Sequence, residues 1–221
     1  MIDEKPKHKF FEKYIQNDLT GLSRYLLKVE KDLFAGIYPK VTKEYADSTK
    51  GVHHLGTKFN VFQCYNPAIH NIFSAIRDLT VEACEYYNID FKKQHYMVQG
   101  WFNTDAMVNP PLEEDNHYHD HLGGKGIPNF HGYYCIDAEP SVTYYKIGGH
   151  EATPIENINK NNRVILSETG HPHGIGPWPF DKPRITLAYD VSPLMYMSGD
   201  ELQHWVPLAW ISWSVLLLDT K

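Results

Sequence analysis

The chain has 221 residues, enough for one domain with a large core. Its net charge of -6 is spread over interspersed acids and bases with no Lys/Arg block, which gives no sign of a nucleic-acid or membrane surface. Aromatics at 14% fit a β-rich fold better than a helical bundle.

Cys64, Cys84 and Cys135 are odd in number and widely spaced. They make no disulfide framework and suggest reduced, buried thiols in a cytoplasmic protein. The charged stretch 3–13 lacks the apolar core of a signal peptide. The most apolar run, 205–218, is broken by Pro207 and serines and is too short for a membrane span.

In chain order, Phe10, Phe11, Tyr14 and Ile15, then Leu22, Tyr25, Leu26 and Leu27, recur at helical spacing. They predict helices over the first 50 residues, ended by Gly36 and Pro39. Residues 58–64 (KFNVFQC) alternate and predict a strand. Asn66 is a good N-cap and Pro67 suits a first turn, so a helix starts there. Its apolar stripe of Ile69, Ile72, Phe73, Ile76 and Leu79 carries it to about Tyr87.

From residue 95 the pattern becomes short strands: 95–103 (HYMVQGWFN), 130–137 (FHGYYCID), 142–147 (VTYYKI), 163–168 (RVILSE) and 184–191 (RITLAYDV). Glu139-Pro140-Ser141 reads as a hairpin-type turn, and 171–181 as a Pro/Gly-rich loop. The expectation is one β-rich α+β domain, a sandwich or jelly roll. Residues 1–94 are mainly helical support, 95–192 the β core, and 193–221 an apolar extension. Trp205, Trp210 and Trp213 in that extension either cover the core or form a homodimer contact.

Chemistry concentrates in Asp115-Asn116-His117-Tyr118-His119-Asp120-His121. On a strand the three histidines share a face, and neutral imidazole is the commonest metal ligand. His117 and His121 cannot meet on one ion, because four residues of strand separate them by roughly 13 Å. One adjacent pair binds, and a third ligand comes from His171-Pro172-His173, where Gly174 beside His173 leaves room and favours it. Tyr118 suits the packed side of a strand better than Asp120 does, which favours His117/His119 over His119/His121. His8, His53, His54, His95, His150 and His204 receive no role. On the last strand Arg184 shares a face with Thr186, and a guanidinium there is a natural clamp for a carboxylate.

Five motifs, in order, carry a resemblance: Trp101-Phe102-Asn103, His117-Tyr118-His119, Gly132-Tyr133-Tyr134, His173-Gly174-Ile175 and Arg184-Ile185-Thr186. Over 95–192 the chain resembles the 2-oxoglutarate/Fe(II)-dependent oxygenases with a His-x-His pair. That resemblance implies a double-stranded β-helix (jelly roll), Fe(II) held by His117, His119 and His173, and 2-oxoglutarate as cosubstrate. It implies that Arg184 grips the distal carboxylate of 2-oxoglutarate, with Tyr133 a further candidate for that role. Trp101 and Asn103 would line the substrate side. The activity implied is oxidation, by hydroxylation, of an unidentified small molecule or peptide, with release of succinate and CO2. Most of that family carries a carboxylate where this chain has the second histidine. Three other readings use the same residues. One is a cupin-type enzyme, although no Glu follows the pair before Asp137. Another is a zinc enzyme whose three histidines leave a fourth position open. The last is a jelly-roll binding module without catalysis.

Overall fold

Asp18 starts the first helix: its Oδ1 accepts from the Gly21 amide at 2.9 Å. The helix, α1 (Leu19–Phe34), buries Leu22, Leu26, Val29 and Leu33 at helical spacing and ends before Gly36 at φ 71°. This is a computed structural model that describes residues 8–38, 40–44, 58–104, 118–121, 129–197 and 204–209. A second helix, α2 (Pro67–Tyr86), starts as expected, with the Asn66 side chain accepting from the Ala68 and Ile69 amides. It buries the expected stripe of Ile69, Ile72, Phe73, Ile76 and Leu79. A short α3 (Phe91–Gln94) leads into the strands.

Two N-terminal expectations are corrected. Phe11–Tyr14 is a strand, β1, not a helix, and pairs antiparallel with β6 (Arg163–Glu168), Phe11 opposite Leu166. The edge of β6 offers backbone partners that a four-residue helix could not match, and only Phe11 of the four residues is buried. Residues 58–64 are not a strand but hold a 3-10 turn, Val61–Gln63. There Asn60 Oδ1 accepts from the Phe62 and Gly100 amides, and its Nδ2 donates to the carbonyls of Val98 and His204. That side chain supplies the bonds a ladder would otherwise provide.

The remaining strands form two antiparallel sheets. The large one has the order β1-β6-β3-β8-β2-β9, with β2 (Tyr96–Asn103), β3 (Phe130–Asp137), β8 (Ile185–Pro193) and β9 (Val206–Pro207). The small one has the order β5-β4-β7, with β4 (Val142–Tyr145), β5 (Ile155–Ile158) and β7 (His173–Ile175). The class is therefore α+β, mostly antiparallel. Two further expectations change here. Glu139-Pro140-Ser141 closes no hairpin; it carries the chain from β3 in one sheet to β4 in the other. The loop expected over 171–181 contains β7, which pairs with β4, Tyr145 opposite His173.

Alternation along β3 divides the interior. Phe130, Tyr134 and Ile136 join Leu26, Ile72 and Ile76 of the helices in the main core. His131, Tyr133 and Cys135 face the other way, and Tyr133 and Cys135 pack with Ile165, Ala188 and Tyr145 in a second cluster. The small sheet thus covers the face of the large one that the helices leave open. Gly132 permits a close crossing: a Cβ there would meet Ile165 O and the Tyr189 hydroxyl, which donates to Ile165 O at 2.6 Å. The three cysteines are free and buried. No helix among the described residues is long and apolar enough to cross a membrane. Trp205 is half-buried beside β9, and Trp210 and Trp213 lie outside the described residues.

Candidate metal centre

The histidine stretch reaches the small sheet by one bridge. His119 N donates to His173 O at 3.1 Å, and His173 N donates to His119 O at 2.9 Å. Residues paired this way project to the same side, so the two imidazoles meet with ring centres 4.5 Å apart. Tyr118 turns the opposite way and is buried, with Lys146 Nζ 4.5 Å from its ring centre. His121, two residues on, returns to the side of His119, 5.3 Å from the rings of both His119 and His173. One donor nitrogen from each of His119, His121 and His173 lies within 4.8 Å of the others. His117 lies outside the described residues.

Asp190 organises the rings. It stands opposite His131 on neighbouring strands. His131 Nδ1 lies 2.8 Å from Asp190 Oδ1, and His121 Nδ1 lies 2.9 Å from Oδ1 and 3.0 Å from Oδ2. A carboxylate only accepts, so both Nδ1 atoms donate and the lone pair of each ring is left on Nε2. His121 Nε2 is buried and finds no hydrogen-bond partner among the described residues. His173 Nδ1 lies 3.2 Å from the His171 carbonyl, which likewise leaves its Nε2 free of the proton. The rings of Trp101 and His121 stack at 5.9 Å, and those of His121 and His131 at 3.9 Å.

The electrostatics favour neutral imidazoles beside an ionised carboxylate. Burial, then repulsion from His121, pushes His131 down to about 4, against the pull of Asp190. Burial and the neighbouring imidazoles hold His173 well below the ordinary histidine value. Burial alone would raise Asp190, but the hydrogen bonds from His121 and His131 hold its carboxyl well below the usual range. Asp190 behind His121 and the His171 carbonyl behind His173 hold two of the three rings by an oxygen on the far side, as metal-ligating histidines are held. An iron or zinc ion fits this donor set.

Arg184, just ahead of β8, is 5% exposed. Its Nε donates to Ser141 Oγ at 2.9 Å, and Tyr133 and Cys135, both kept protonated by burial, stand near it. No carboxylate among the described residues pairs with it. Arg163, the other buried arginine of the large sheet, differs: it holds Glu12 at 3.2 Å as well as Asn157 and the Ile158 carbonyl. Burial lowers the Arg184 pKa, as it must for a cation without a counter-ion. Tyr133 lies on the same side, its phenol pushed up to about 12 by burial and without a well-formed hydrogen bond. Asn103 Nδ2 lies 3.4 Å from Thr186 Oγ1, on the strand face shared by Arg184 and Asp190.

The sequence pattern singled out neither Asp190 nor His131. Counting by twos from Arg184 through Thr186 and Ala188 would have placed Asp190 on the same face. A second grouping also escaped it: His8, Glu168 and His171, whose donor atoms lie within 4.8 Å of one another. His8 and His171 meet edge to face at 4.4 Å, and burial, then His171, pushes His8 down to about 4.

No family model and no curated protein sequence matches the chain. Its fold is similar to that of a solved non-heme monooxygenase, ThoJ. The nickel complex aligns at 10% identity and TM-score 0.51, and the apo form at 11% identity and TM-score 0.52. Each alignment covers 89% of this chain and 74% of that one. At such identities the likeness concerns the fold.

Proposed function

We propose that the protein is a non-heme Fe(II) oxygenase that uses 2-oxoglutarate and hydroxylates a small molecule or a peptide. One observation carries this reading. Three imidazoles from two remote segments converge beside Asp190, and in phase with Asp190 along the same strand a guanidinium is buried with no carboxylate partner among the described residues. In this reading the sheets form a double-stranded β-helix, with β2-β8-β3-β6 on one side and the 118–121 segment, β7, β4 and β5 on the other.

His119, His121 and His173 hold the ion. In this reading the pair is His119/His121, whose donor nitrogens lie with that of His173 within 4.8 Å of one another, in place of His117/His119. Bound iron supplies the O2-dependent oxidation that side chains alone cannot perform. The chain's own residues do the positioning. Asp190 orients His121 and His131. Ser141 engages Nε of Arg184, so the terminal nitrogens are left to grip a carboxylate in two-pronged fashion. Tyr133, kept protonated by burial, is a donor for the same carboxylate. Trp101 stacks on His121 and lines the substrate side.

The test is anaerobic addition of Fe(II) to the metal-free protein, followed by 2-oxoglutarate. A metal-to-ligand charge-transfer band should appear only when both are present, and Arg184→Ala should abolish it. No band with wild-type protein, or a band unaffected by Arg184→Ala, would remove the proposal.

A second reading rests on the absence of a carboxylate from the three-imidazole set: a zinc or cupin-type centre with an open position. Turnover supported by Zn2+ without 2-oxoglutarate would select it. A non-catalytic binding module would show no turnover with either ion.

A further inference from the structure

We infer that His8, Glu168 and His171 form a second cation site, suited to a zinc-like divalent ion, which pins the segment ahead of β1 to the connection between β6 and β7. It shares no ligand side chain with the centre described above, where His171 enters only through its backbone carbonyl, so it stands whether or not that centre holds iron. One donor atom from each of the three lies within 4.8 Å of the other two. Both ring nitrogens of His8 are buried, and neither finds a hydrogen-bond partner among the described residues. Two buried ring nitrogens without partners are costly even on a half-buried side chain, and an ion answers one of them.

The donor set is two nitrogens and one carboxylate oxygen. That mixture suits zinc and its neighbours, whereas calcium and magnesium sites are built from oxygen. The Gly148 amide competes for His171, donating to its Nδ1 at 3.3 Å, a long bond that yields readily to an ion. The three residues come from separate places: His8 precedes β1, Glu168 ends β6, and His171 lies two residues before His173. An ion here closes a loop from residue 8 to 171 and steadies the strand that carries His173. A row of rings, His8–Phe10–Tyr145–His173, spaced 4.7, 4.8 and 5.4 Å, separates the two sites.

The test is Zn2+ titration of the tag-free, metal-depleted full chain, with bound zinc counted after desalting. Wild type should take two ions per chain, and His8→Ala and Glu168→Gln one each. Circular dichroism of the metal-free variants reports folding, and if His8→Ala fails to fold, Glu168→Gln decides. Two ions retained by a folded Glu168→Gln and a folded His8→Ala overturn the site. So does a single wild-type ion that His119→Ala removes and Glu168→Gln does not. Failure of the oxygenase proposal looks different: no charge-transfer band, with the loss of one ion in Glu168→Gln unchanged.

Discussion

The Nδ1 of His121 lies 3.0 Å from Asp190 Oδ2, so the nitrogen that ring offers to His119 and His173 is Nε2. Asp190→Asn presents an amide in place of a full acceptor and loosens both His121 and His131. Loss of such an orienting carboxylate should weaken metal binding about 10- to 100-fold while leaving the fold intact. Competitive Fe(II) or Zn2+ titration against a chromophoric chelator measures this. Unchanged affinity would mean that the carboxylate does not orient the ligand.

Arg184 makes a prediction of opposite sign for stability and for binding. A buried cation without a counter-ion costs free energy, so Arg184→Met should leave the melting temperature of the metal-free protein unchanged or raised. The same change should weaken 2-oxoglutarate binding about 100-fold or more, the scale of a lost charge-assisted contact. A large drop in melting temperature with binding intact would make Arg184 a structural residue.

His131 gives the metal-free protein a pH dependence. Its folded value, about 4, lies below its ordinary 6.5, so the unfolded chain binds more protons between those limits. The contribution of this group is complete above pH 6.5 and is lost as pH falls towards about 4. His173, shifted in the same direction, adds to the loss. Asp190, shifted downward as a carboxylate, loses its contribution only at lower pH still. Urea midpoints should therefore fall across that window, and His131→Gln should flatten the slope. Midpoints that hold or rise on acidification would contradict the burial of neutral imidazoles.

Gly132→Ala should destabilise the protein by about 3 kcal/mol, at the upper end of overpacking costs. The added methyl collides with Ile165 O and the Tyr189 hydroxyl, and the strand must move. Equilibrium urea unfolding measures it. A loss under about 0.5 kcal/mol, the scale of ordinary surface changes, would show that the strands can separate freely.

Which parts were legible in the sequence follows from how local their signals are. The cap at Asn66 and the stripe from Ile69 to Leu79 lie within one element, and α2 follows from them. The strand-like run 130–137 likewise matches β3 over its full length. β1 was hidden because Phe10, Phe11, Tyr14 and Ile15 recur at helical spacing, and the edge of β6, remote in sequence, overrode that local signal. β7 was hidden among prolines and glycines and is only three residues long. Local spacing allowed two imidazole pairs and favoured His117/His119, whereas the described grouping with His173 is His119/His121. His8 was not legible, since its partners come from the far end of β6.

The two-sided character of β3 has a consequence for how this chain can change in length. Inserting or deleting one residue in that strand would exchange its faces, sending His131 and Tyr133 beneath α1 and α2 and turning Phe130 and Tyr134 towards the histidines. Natural variants that differ in length should therefore carry their gaps in turns such as 147–154, and β3 itself should tolerate exchanges of residue type but not of count.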